Sequence, residues 1–129
     1  MAKVQIIAGS KSDSEIVRKT EVVLKDTGVD YSVEYCSFHR EPDRLREFVK
    51  KSDADVFICI AGLSAALAGA VAAMTKKPVI GVPVSAKLGG IDALLSIVQM
   101  PPGVPVACVG IDNGENAAHL AIRILNSNK

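Results

Sequence analysis

A doubly wound parallel α/β fold is what this sequence predicts, on three observations. Short apolar segments rich in β-formers alternate five times with segments of helical period. The third of those strands, DVFICIA at 55–61, is a continuous apolar run from Val56 onward, as expected of a central parallel strand covered on both faces. Connections are short, and no repeat, linker or low-complexity stretch interrupts the alternation.

The first strand spans 3–8 (KVQIIA). A helix over 13–25 follows, with Ile16, Val17, Val22, Val23 and Leu24 at helical spacing and Gly28 just beyond as a stop. Residues 31–37 (YSVEYCS) alternate at their start and favour extended backbone, which makes them the second strand. Pro42 suits the first turn of the next helix, continued on one face by Leu45, Phe48 and Val49. After the central strand, Gly62-Leu63-Ser64 opens a helix over 65–75 built almost wholly of Ala, Leu, Val and Gly. A helix so apolar all round must be covered on more than one side, which points to a subunit interface. Residues 78–82 form the fourth strand, 83–90 a polar glycine-containing loop, 91–99 a helix, 101–103 a turn and 104–111 the fifth strand. Asn113-Gly114-Glu115-Asn116 leads into a last helix ending at about 125. With five strands the natural sheet order is the flavodoxin-like 2-1-3-4-5, and ligands in such sheets bind beyond the carboxyl ends of the strands, at the switch point.

The totals exclude several classes of function. At 129 residues the chain is expected to form a single domain, 1–129. Lys and Arg number 15 against 14 Asp and Glu, and the basic residues are scattered, so no nucleic-acid partner is expected. No apolar run approaches the roughly 20 residues of a membrane span, and Met1-Ala2-Lys3 enters a strand without a secretory leader. The expected place is the cytoplasm, away from any membrane. Cys36, Cys59 and Cys108 match no metal-ligand spacing and read as small buried hydrophobes. Hydrophobic residues make up 49 % of the chain with only 4 % aromatic, more aliphatic surface than so small an interior hides, so part of it is expected between subunits.

If ligands bind at strand ends, the residues after each strand carry the chemistry. The first strand delivers Gly9-Ser10-Lys11-Ser12-Asp13, whose helix-starting amides and the Ser10 and Ser12 hydroxyls suit a phosphate, with Asp13 able to accept from sugar hydroxyls. Ser10-x-x-Asp13 and Ser12-x-x-Glu15 also read as capping boxes, which alone accounts for the same residues. The second strand delivers Ser37-Phe38-His39-Arg40: an imidazole suited to giving and taking a proton near neutrality, beside a guanidinium fork for a phosphate. The third delivers Ala61-Gly62-Leu63-Ser64, where the amides of Gly62 and Ser64 can meet a small carboxylate, although Gly62 equally serves the turn. The fourth delivers residues 85–90, in which Lys87 reads as a solvated charge. His119 lies inside the last helix and reads as structural. No nucleophile elbow is present, and G-x-G-x-x-G is absent, which argues against a dinucleotide cofactor.

Four separated motifs then carry a resemblance that covers nearly the whole chain. Gly9-Ser10-Lys11-Ser12-Asp13, the stretch from Ser37 to Leu45 (SFHREPDRL), Pro78-Val79-Ile80-Gly81-Val82-Pro83-Val84 and above all Leu94-Leu95-Ser96-Ile97-Val98-Gln99-Met100-Pro101 resemble the purine-biosynthesis family of N5-carboxyaminoimidazole ribonucleotide mutases and aminoimidazole ribonucleotide carboxylases. The resemblance implies a flavodoxin-like three-layer sandwich assembled into homo-octamers. It further implies that Ser10, Ser12, Ser37 and Arg40 hold the nucleotide phosphate, Asp13 the ribose, and that His39 handles the proton. No metal or organic cofactor is implied. The partners would be aminoimidazole ribonucleotide and its carbamate or CO2, on the route to IMP. In that chemistry a carbamate loses CO2 inside a closed pocket, C4 of the aminoimidazole recaptures it, and enclosure supplies the effective concentration.

One departure bears on the donor. Bacterial mutases carry a longer glycine-rich segment with a second histidine after the third strand, whereas residues 61–69 here read AGLSAALAG. Carboxylases of the family that take free CO2 have a short Ala-Gly-x-Ser loop, so direct carboxylation stands as the alternative; the other motifs favour the mutase. Ile111-Asp112-Asn113-Gly114 and Gly89-Gly90 also look similar to pyridine dinucleotide carboxylases of nickel-cofactor synthesis, a more remote reading. A flavin carrier lacks its stacking aromatics here, and a receiver domain lacks its acidic residue at the end of strand three, where Ala61-Gly62 stands.

Overall fold

The computed structural model describes residues 3–127. Its strands are β1 (Val4–Ala8), β2 (Tyr31–Tyr35), β3 (Val56–Gly62), β4 (Val79–Val84) and β5 (Ala107–Cys108). All pair in parallel, in the order β2-β1-β3-β4-β5. The helices are α1 (Ser14–Thr27), α2 (Pro42–Lys51), α3 (Leu67–Met74), α4 (Ile91–Val98) and α5 (Gly114–Asn126).

Side chains alternate across the sheet, and both faces are covered. Ile7, Phe57 and Cys59 pack with Leu45 and Val49 of α2, Leu67 and Val71 of α3, and Ala93 and Ile97 of α4. Ile6, Val56, Ile58, Ile60 and Ile80 point the other way, onto Ile16, Val17 and Leu24 of α1 and Ala117, Ala118 and Ala121 of α5. Three layers result, and the unbroken apolar run of β3 follows, because every one of its side chains meets a helix. Cys36 and Cys59 are buried and Cys108 half-buried, all three as free thiols; burial pushes the Cys59 thiol well up. Among the described residues no helix is long and apolar enough to cross a membrane.

The element ends explain themselves locally. Gly28 stops α1 in the left-handed conformation (φ 73°), donating its N–H to the Leu24 and Lys25 carbonyls. Pro42 begins α2, where its missing N–H costs nothing. Two ends differ from expectation at the site. Ahead of α1 a 3-10 turn, Lys11–Asp13, inserts, so the helix starts at Ser14. Likewise α3 starts at Leu67, two residues later than its composition suggests, because the Ala66 N–H turns back to the Ser64 carbonyl at 2.7 Å. The second strand ends at Tyr35, and the chain then turns, with the Glu41 N–H donating to the Ser37 carbonyl at 2.9 Å. The fifth strand is two residues long, not eight. It is an edge strand bonded only to β4, and the preceding 101–105 stretch holds three prolines that have no N–H to offer a ladder.

Candidate active site

The carboxyl ends of β1, β2 and β3 meet around one cleft of about 630 Å³, and all eight residues singled out in the sequence line it: Ser10, Ser12, Asp13, Ser37, His39, Arg40, Gly62 and Ser64. That volume falls in the ordinary range for a small-molecule site, about 300–1,000 Å³.

The loop after β1 begins with Gly9, whose N–H donates to the Ile60 carbonyl of β3 at 3.0 Å. Ser10 caps the 3-10 turn: its Oγ accepts from the Ser12 N–H (3.2 Å) and the Ser12 hydroxyl (3.0 Å), which gathers both hydroxyls at one point. The capping expectation therefore holds for Ser10. Asp13 is different: it stands at the N-cap position of α1, yet its carboxylate caps no amide of that helix. The side chain is buried, and that burial pushes its carboxyl above the usual range, while a backbone hydrogen bond from Ser10 works in the opposite sense.

The loop after β2 is tied to the first by Arg40, whose guanidinium donates to the Gly9 carbonyl at 3.0 Å. The Ser37 Oγ accepts from the Arg40 N–H at 3.2 Å, closing a tight turn that presents His39 and Arg40 side by side. Phe38 anchors this turn against the core, its ring 5.6 Å from the His39 ring and tilted 50° to it. His39 and Arg40 are both exposed to the cleft.

The loop after β3 forms the apolar side. Gly62 lies so close to β4 that a Cβ there would stand 3.2 Å from the Val84 carbonyl oxygen. Leu63 adopts φ 57°, the left-handed region, at a cost of about 1–2 kcal/mol for a residue with a Cβ. Leu63, Ala66, Leu67 and Ala86 complete the lining with Ala61. Sequence reasoning passed over these side chains because apolar residues carry no chemical signature. Of the loop after β4 only Ala86 reaches the cleft; Lys87 does not line it. The root of that loop is held by Asp112, which accepts from the Ser85 N–H (2.8 Å) and hydroxyl (2.5 Å) and donates its own N–H to the Pro83 carbonyl (2.8 Å). His119 lines a separate depression on α5 with Asn116 and Arg123. Among the described residues no group of three or more His, Cys, Asp or Glu side chains could hold a metal ion.

One wall of the cleft thus offers hydroxyls, amides and a guanidinium, the other is apolar, and an imidazole stands at their rim. A family model described as AIR carboxylase matches residues 3–129. The chain is 62 % identical over 120 residues to a protein of Methanocaldococcus jannaschii named N5-carboxyaminoimidazole ribonucleotide mutase, spanning 93 % of this chain and 76 % of that one. It is 51 % identical over 130 residues to a protein of the same name from Pyrococcus abyssi, spanning 98 % and 75 %. The crystal structure of Treponema denticola PurE superposes with a TM-score of 0.88 at 33 % identity, covering 98 % of this chain and 81 % of that one. With a matching family model over nearly its full length, relatives at this level of identity and the same five-stranded order, the chain belongs to the AIR carboxylase family.

Proposed function

We propose that this chain is an N5-carboxyaminoimidazole ribonucleotide mutase of purine biosynthesis, working through a single domain that spans residues 1–129. The observation that carries the reading is the cleft itself, where His39 shares one rim with the hydroxyl cluster of Ser10 and Ser12, the Arg40 guanidinium and the buried Asp13 carboxyl. In this assignment Ser10, Ser12, Ser37 and Arg40 hold the phosphate, Asp13 accepts from the ribose hydroxyls, and the Gly62 and Ser64 amides face the carboxyl group.

The chemistry balances around one proton carrier. The carbamate C–N bond breaks, its electron pair stays on the exocyclic nitrogen, and imidazolium His39 delivers a proton there as CO2 separates. The electron-rich C4 then forms a C–C bond to that CO2, and neutral His39 takes the C4 proton as the ring regains aromaticity. Such positioned proton transfer contributes about 10²–10⁴-fold. No cofactor enters this scheme.

Direct carboxylation of aminoimidazole ribonucleotide with CO2 is the second reading, favoured by the histidine-free loop at 61–69. Purified protein supplied with the carbamate, or with aminoimidazole ribonucleotide plus bicarbonate, separates the two. The mutase reading requires consumption of the carbamate with formation of the 4-carboxy product at low bicarbonate; productive use of bicarbonate alone would replace it with the carboxylase.

The proposed enzyme is cytoplasmic and works as a homo-octamer. Support for assembly comes from Ile91, Leu95 and Val98, one exposed stripe at i, i+4 and i+7 on α4, continued by the exposed Leu88.

A further inference from the structure

Leu63 is out of place by every local criterion. Its backbone is left-handed in a turn where glycine would be unstrained, and its side chain belongs to neither core cluster. It is 52 % exposed, a large apolar group standing at the cleft between Gly62 and Ser64. A strained residue that the interior does not use points to the site it borders. On its side of the cleft Ala61, Ala66, Leu67 and Ala86 offer no side-chain hydrogen-bond donor or charge.

CO2 is neutral, small and a poor hydrogen-bond acceptor, so a site retains it by excluding water and blocking escape, not by gripping it. We propose that Leu63 is the residue that does this: its side chain closes the apolar end of the cleft over the carboxyl group and keeps CO2 beside C4 between C–N cleavage and C–C formation. This rests on the mutase reading, since only a carbamate donor generates CO2 inside the cleft. Leu63 acts here as a positioning residue and transfers no proton.

The test follows the carbon. Carbamate labelled with ¹³C in its carboxyl is turned over in excess unlabelled bicarbonate, and label is counted in the 4-carboxy product and in released bicarbonate, corrected for loss without enzyme. The wild-type enzyme is expected to keep the label. Leu63→Gly, which removes the side chain and also relieves the backbone, is expected to lose it several-fold more often and to release aminoimidazole ribonucleotide in step. Leu63→Met, which restores an apolar side chain of similar length, is expected to recover retention. If Leu63→Gly keeps the label as the wild type does, at whatever overall rate, the proposal is overturned. If the wild-type enzyme consumes no carbamate, the mutase reading fails first and takes the proposal with it, a result plainly different from retention by the variant.

Discussion

Arg40 is the residue whose loss can be reckoned most directly. Its guanidinium spends one donor on the Gly9 carbonyl at 3.0 Å and has others free toward the cleft, which the Ser10 and Ser12 hydroxyls share. Replacing Arg40 by Ala removes two distinct things. The charge-assisted contact to a phosphate is worth about 1.5–3 kcal/mol, or roughly 10- to 150-fold in affinity. The tie to the Gly9 carbonyl comes from the same charged donor but on an exposed side chain, where water competes for it; it is worth about 0.5–1.5 kcal/mol, roughly two- to tenfold, and its loss acts by loosening the loop. Titration calorimetry with aminoimidazole ribonucleotide and with its dephosphorylated nucleoside separates the two. Arg40→Ala is expected to weaken the nucleotide by the product of both factors and the nucleoside by the second alone. Equal losses for the two ligands would show that Arg40 only braces the loop, and the phosphate would have to be held elsewhere.

Two further outcomes follow. Burial raises the Asp13 carboxyl above its ordinary 3.8, so the native state holds that proton more tightly than the unfolded chain does, and ionised Asp13 costs stability at neutral pH. Asp13→Asn is therefore expected to raise the denaturant midpoint at pH 7, the gain shrinking to nothing as pH falls below about 3.8, while nucleotide binding weakens; an unchanged midpoint at pH 7 would contradict this. At Gly81 a Cβ would stand 2.5 Å from Ile97 Cγ2 and 3.3 Å from Ala68 Cβ, between β4 and its covering helices. Gly81→Ala is expected to cost about 1–3 kcal/mol by overpacking, and combining it with Ile97→Ala to cost less than the sum of the two, as measured by denaturant unfolding.

How much of this was legible depended on whether a residue's role shows in its own neighbourhood. The sheet was legible because Val56, Ile58 and Ile60 face one helical layer while Phe57 and Cys59 face the other, leaving no polar position in β3. The site polar groups were legible because parallel strands end on one rim, so Ser10, His39 and Gly62 could be grouped before any coordinates. The fifth strand was overread: its apolar letters look extended, but pairing on one side only, after three prolines, leaves two ladder residues. The Ser85–Asp112 clasp spans 27 positions and leaves no local pattern, and the φ of Leu63 runs against its own propensity. Both are fixed by tertiary context, where sequence periodicity is silent.

The central claim is that His39 carries the proton in this cleft, and one variant addresses it. Asn in place of His39 keeps a polar side chain of similar reach but cannot take up and return a proton in this range. Binding of aminoimidazole ribonucleotide by calorimetry is expected to stay within a few-fold of wild type, while turnover of the carbamate falls by about 10²–10⁴. Undiminished turnover by His39→Asn, with binding intact, would mean that the imidazole on this rim is a bystander.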